Sequence, residues 1–132
     1  MGLLHLALLR AEGTEAIGYD LNPARIAWAR REGFRADQPP EHPSRGADLV
    51  IVLPGNQGAA DLAFALAAPE ATVVLFAPMP PGGPLRVPEE AYFLDLRILH
   101  SYSCGPAEMQ EAARRLRVGE VRAEGVVERF TD

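Results

Sequence analysis

The two residues of this 132-residue chain with the clearest chemical potential are Gly2 and Asp20, 18 positions apart in the opening stretch MGLLHLALLRAEGTEAIGYD. A glycine that opens a helix lets an anion approach the helix's N–H groups, and an acid at a strand end offers carboxylate oxygens to a sugar diol. The spacing is that of the last glycine of a G-x-G-x-x-G turn and the acid about 20 residues on that accepts from an adenosine ribose. The strand and first two glycines of such a unit do not precede Gly2. Taken alone, Asp20 ahead of Asn22-Pro23 reads equally well as a turn residue.

Other chemistry is thinner. A zinc site needs three or four Cys, His or acidic ligands brought together, and the only His and Cys residues are His5, His42, His100 and Cys104, without metal-ligand spacing. His5 reads as a packed or partly exposed helix residue and His42 as part of a Pro-rich loop. His100 and Cys104 flank the end of an expected strand near the ligand rim, where a structural reading outweighs a functional one. A nucleophilic Cys104 needs a base and an oriented partner, and the sequence identifies neither. Asp48 and Asp61 read as strand-start and helix first-turn acids, and Arg114, Arg115 and Arg117 as a solvated helix face.

Composition narrows the classes further. A net charge of -5 and a pI near 5.2 argue against a nucleic-acid binder, whose footprint is a clustered basic excess. All 13 basic residues are Arg, which we attribute to a GC-rich genome. One cysteine cannot make an internal disulfide, so cytoplasmic localisation is the expectation. The apolar run Leu3 to Leu9 is far short of the roughly 18 residues of a membrane span, so no membrane is expected.

The elements that must position Gly2 and Asp20 follow from periodicity. Gly2 to Ala11 is apolar on nearly every face, as in a buried helix. Glu15 to Tyr19 reads as a strand closed by Asp20. Asn22-Pro23 opens a helix to about Arg31, Asn as cap and Pro in the first turn. Gly33 to Asp37 holds a short edge strand. Asp48 to Leu53 is a continuous apolar strand bounded by turn residues, followed by an Ala-rich helix over 58–67, a strand from Thr72 to Phe76 and a loop to Pro84. A short helix over 88–94, a strand from Arg97 to Tyr102, a helix from Pro106 to Val118 and a last strand from Val126 to Phe130 complete the reading. Such alternation predicts a single α/β domain over 1–132, with a mostly parallel, doubly wound sheet. Ligands of such sheets sit beyond the carboxyl ends of the strands, here Asp20, Leu53 to Asn56 and Phe76 to Met79.

Five segments, GLLHLALLRAEG, YDLNPARIAWARREG, ADLVIVLPGN, ATVVLFAPMPPG and HSYSCGPAEMQEAARRLRVGEV, resemble in order and spacing the coenzyme-binding part of the zinc-dependent medium-chain alcohol dehydrogenases, closest to the polyol and threonine dehydrogenase-like branch. The resemblance implies a Rossmann-like domain, Gly2 as the third fingerprint glycine, Asp20 as the acid on the ribose hydroxyls and Arg25 beside the adenine. It implies Pro54, Gly55, Ala77 and Pro78 along the nicotinamide half. An acid at position 20 favours NAD, because it repels the extra phosphate of NADP.

The family's catalytic domain, with its zinc ligands, falls outside these segments, as does the first central strand of the sheet. His100 stands where many relatives have Gly. The chain is therefore expected to be an internal piece of a longer enzyme, truncated at both ends, inactive alone and binding NAD weakly or not at all.

In a 3-2-1-4-5-6 sheet the lost strand is the central one. Direct pairing of the strand ending at Asp20 with Asp48 to Leu53 is the favoured repair. Insertion of Val126 to Phe130 and a strand swapped between copies of a homodimer are the others. One rival reading is a split dehydrogenase completed by a catalytic-domain polypeptide. Another is an S-adenosylmethionine-dependent methyltransferase, which GYDLNPARIAWAR and LAAPEATVVLF also resemble.

Overall fold

A computed structural model describes residues 1–122. The elements run α1 (Gly2–Ala11), β1 (Gly18–Tyr19), α2 (Pro23–Arg31), β2 (Ala36–Asp37), β3 (Ala47–Val52), α3 (Gln57–Leu66), β4 (Ala67–Leu75), α4 (Glu90–Phe93), β5 (Arg97–His100) and α5 (Pro106–Arg117). They form two compact units: Met1–Pro39 with the described part of Cys104–Asp132, and Pro40–Ser103. Each unit carries one sheet, ordered β1-β2 and β3-β4-β5, and every pairing is parallel. Taking strand 1 out of the order 3-2-1-4-5-6 leaves 3-2 and 4-5-6, which are these two orders. The fold is Rossmann-like α/β.

In the first unit, β1 pairs with β2 over Gly18↔Ala36 and Tyr19↔Asp37. Glu15 to Ile17 stay outside the ladder, so the strand is shorter than its sequence pattern. The favoured repair is not formed: β1 pairs with β2, and β3 with β4, and no ladder joins β1 to β3 among the described residues. The strand expected over Val126 to Phe130 lies outside the described residues. Ile26, Ala29 and Ala36 make a small core joined by Leu3 and Phe34.

The expectation of a buried first helix is corrected. Only Leu6 and Ala7 of α1 are buried, and Leu8 is 40% exposed. A two-stranded sheet is too narrow to cover a helix that is apolar on nearly every face. Leu6 faces Gly18, where an added Cβ would stand 3.0 Å from its Cδ1. Beyond α2, Gly33 turns the chain at φ +78, a conformation that strains any residue with a Cβ.

α5 buries none of its side chains and is held by charge instead. The Arg115 guanidinium bonds the Glu12 carboxylate beyond the end of α1 and, at 2.7 Å, Glu111. Arg114 bonds Glu111 at 2.8 Å and Glu120 at 2.9 Å. Hydrogen bonds from Arg114 and then Arg115 hold the Glu111 carboxyl at about 2, below its ordinary 4.5. A carboxyl depressed on folding contributes stability above its unfolded pKa, and loses it as pH falls through the folded one. Glu111→Gln should therefore lower stability to urea at neutral pH. The difference from the parent should close as pH falls from 4.5 to about 2.

In the second unit, Val52, Ala60, Ala63, Phe64, Ala67, Ala71, Val73 and Leu75 form the core. Ala60, Ala63 and Phe64, at helical spacing, turn one face of α3 onto the sheet. Arg45 donates to the carbonyls of Phe64 at 2.8 Å and Ala67 at 3.4 Å, placing a cation on the last turn of α3 and the residue after it. β4 starts earlier than Thr72. Its first residues pair irregularly, Ala47↔Ala67, and the regular register begins at Leu49↔Thr72. Glu70, at φ +62, marks the irregularity.

Candidate dinucleotide site

Asp20 follows directly on β1, at its carboxyl end, and its N–H donates to the Asp37 carbonyl at 3.1 Å. Its Oδ1 accepts the Asn22 N–H at 2.8 Å, and the Asn22 Oδ1 accepts the Ala24 N–H at 2.9 Å. Two consecutive side-chain bonds thus carry the chain from β1 into α2, with Pro23 in the first helical turn. The D-x-N-P run encodes both bonds. Arg25 Nη1 lies 3.6 Å from the other carboxylate oxygen of Asp20, and both side chains are exposed. Asp20 therefore fits the turn reading, and its second oxygen is loosely paired with Arg25 on a side chain 38% exposed. Gly2 opens α1, which has no side-chain cap, and the Leu4 and His5 N–H groups donate to the Met1 carbonyl.

The other four candidates belong to the second unit, where the structure brings them together. Pro54 and Gly55 follow β3, Ala77 and Pro78 follow β4, and a Cβ built on Gly55 would lie 1.9 Å from the Pro78 carbonyl oxygen. That gap admits hydrogen only. Gly55→Ala must push the two loops apart, and we expect a loss of about 1–3 kcal/mol with amide shifts confined to 53–56 and 76–79. Unchanged chemical-denaturation stability and unchanged amide positions would contradict the close approach.

Sequence reasoning missed the residue that ties the next loop down. Gln57 Oε1 accepts the Arg86 N–H at 2.9 Å, and Gln57 Nε2 donates to the Arg86 carbonyl at 2.9 Å and to Asp61 Oδ1 at 2.6 Å. The side-chain amide pairs with a backbone amide 29 residues away, a contact with no local signature. Asn56 caps the same helix by accepting the Ala59 N–H at 2.9 Å.

Among the described residues no three His, Cys, Asp or Glu side chains gather as a metal site. Cys104 is exposed and His100 lies at the end of β5. The described residues do not fit a zinc site. No helix among them is long and apolar enough to cross a membrane.

The strand pairings and helices define a Rossmann-like α/β unit. More narrowly, its fold is that found within alcohol and polyol dehydrogenases. L-idonate 5-dehydrogenase of Escherichia coli superposes with a TM-score of 0.79 at 14% identity, over 93% of this chain and 38% of its own. Acetophenone reductase of Geotrichum candidum, solved with NAD, gives 0.79 at 21% identity over 92% and 36%. The alcohol dehydrogenase of Aeropyrum pernix gives 0.78 at 19% identity over 90% and 37%. The chain thus spans less than two fifths of the length of each. No protein-family model and no curated protein sequence matches the chain.

Proposed function

We propose that this chain is the coenzyme-binding segment of an NAD-dependent, zinc-type alcohol or polyol dehydrogenase. The observation that carries the reading is the Asp20 carboxylate at the carboxyl end of β1, one oxygen fixed by the Asn22 N–H at 2.8 Å and the other only loosely paired, 3.6 Å from Arg25 Nη1. A vicinal diol donates two hydrogen bonds, which a carboxylate accepts at charge-assisted strength. On this reading Asp20 takes the ribose hydroxyls, Arg25 flanks the adenine, the helix start at Gly2 faces the pyrophosphate, and Pro54, Gly55, Ala77 and Pro78 border the nicotinamide. NAD would supply hydride transfer chemistry, and the chain's own residues bind and orient it. In a zinc-type dehydrogenase the alcohol is activated by a zinc site, which the described residues do not form, so we expect the chain to bind without turning over.

Calorimetric titration with NADH, NADPH and S-adenosylmethionine tests the reading. Weak but saturable heat with NADH, weaker still with NADPH and absent with S-adenosylmethionine, is expected. Binding of S-adenosylmethionine without NADH would replace it with the methyltransferase reading. Turnover of simple alcohols or polyols by the purified chain would refute the inactivity.

A further inference from the structure

The connection between β4 and α4, residues 76–89, contains no helix or strand, and connections of that length without structure of their own are usually either functional or disordered. This one is pinned. Near its start the Gly55 backbone meets the Pro78 carbonyl so closely that no Cβ fits between them. Met79 and Leu85 pack on the core of the second unit, and the Gly83 N–H donates to the Pro80 carbonyl at 2.8 Å, closing the turn between them. Near its end Gln57 takes both polar groups of one residue: Oε1 accepts the Arg86 N–H and Nε2 donates to the Arg86 carbonyl, each at 2.9 Å. The side-chain amide thus exchanges two bonds with a single residue, as a residue of a neighbouring antiparallel strand would. Asp61 Oδ1, one helical turn further on, accepts the same Nε2 at 2.6 Å and fixes which end of the amide meets which group. Both ends of the connection are therefore fastened to the short run 54–57 that leads from β3 into α3.

We infer that Gln57 is a positioning residue for the nicotinamide half of the coenzyme: through Arg86 it holds the 77–86 segment, and with it Ala77 and Pro78, against Pro54 and Gly55. The inference rests on the coenzyme reading, which assigns those four residues to the nicotinamide border, and adds to it a residue that acts through the loop. A rim left mobile must be ordered at the moment of binding, and that cost is subtracted from the contacts it makes. Gln57 removes the cost beforehand. Because adenosine recognition is assigned to Asp20 and Arg25, the loss of Gln57 should be felt by the nicotinamide half alone.

The test uses the full chain, labelled with nitrogen-15, and two titrants, NADH and ADP-ribose, which lacks the nicotinamide. Gln57→Met keeps the length of the side chain and removes all of its hydrogen bonds. Without any ligand it should speed hydrogen exchange of the Arg86 amide about tenfold, while the Ala60 and Val73 amide shifts report that the core persists. The parent should bind NADH more tightly than ADP-ribose; Gln57→Met should erase that preference, weakening NADH about tenfold and leaving the Kd of ADP-ribose unchanged. Gln57→Glu, which keeps the acceptor for the Arg86 N–H and loses both donated bonds, should fall between parent and Gln57→Met in both readouts. A parental exchange rate at Arg86 in Gln57→Met would overturn the inference, and so would faster exchange with the preference for NADH intact, which would make the tie structural only. A parent that binds neither titrant up to about 1 mM would contradict the coenzyme reading itself and the inference with it.

Discussion

Asp20→Ala should weaken NADH binding about 10- to 100-fold, which corresponds to the roughly 1.5–3 kcal/mol carried by hydrogen bonds to a charged group. The structure separates two contributions to that loss. Oδ1 holds the Asn22 N–H and shapes the turn into α2, while the other oxygen is loosely paired with Arg25 at 3.6 Å. Asp20→Asn keeps an acceptor for the turn and removes the charge. If ribose recognition rests on the charge, the Asn variant should bind NADH almost as poorly as the Ala variant while melting like the parent. It should also gain relative affinity for NADPH, because the repulsion of the extra phosphate is gone. An Asn variant with parental NADH affinity would show that Asp20 is a turn residue only.

The second large effect concerns stability. Phe64 is 3% exposed and stands among Val52, Val73 and Leu75 in the core of the second unit. Its neighbours on α3, Ala60 and Ala63, are too small to collapse into the space a lost ring would leave. Phe64→Ala should therefore cost about 3–5 kcal/mol, a large share of the roughly 5–15 kcal/mol that separates folded from unfolded domains. Urea denaturation followed by far-ultraviolet circular dichroism would read it as a lowered midpoint. A midpoint within error of the parent's would contradict the placement of Phe64 against β3 and β4.

How much of this was legible in the sequence depends on the range of the determining interaction. α2 was legible because Asn22 and Pro23 act locally, and both the cap and the first-turn proline are in place. β3 was legible because Asp48 to Leu53 is a bounded apolar run, found as Ala47–Val52. The resemblance to zinc-type dehydrogenases, carried by five segments in order, agrees with the fold of solved alcohol and polyol dehydrogenases. What failed was non-local. The burial of α1 depends on how wide a sheet it meets, which the apolar content of Gly2 to Ala11 does not state. The pairing of β1 depends on which strand lies beside it. The irregular start of β4 turns on the positive φ of Glu70, in an Ala-Ala-Pro-Glu-Ala run between the expected helix and strand.

The candidate site divides the same way. The strand-end position of Asp20 was legible from the apolar run that precedes it, and its turn bonds follow from D-x-N-P. The approach of Gly55 to Pro78 needed the register of β3 on β4, and the Gln57 bonds to Arg86 needed a loop fold that no periodicity encodes. The charge cluster on α5 was read as a solvated face. It is exposed, yet through Arg115 and Glu12 it joins residues 103 positions apart.

The most direct measurement of the central claim is an NADH titration of nitrogen-15-labelled protein followed residue by residue. The expected result is saturable shifts of the Tyr19 to Asn22 amides, joined by Arg25 and by Gly2 to Leu4 at the helix start, with a second set over 53–56 and 76–79. Shifts absent at about 1 mM NADH, or confined to residues away from Asp20, would contradict the assignment of this chain as a coenzyme-binding segment.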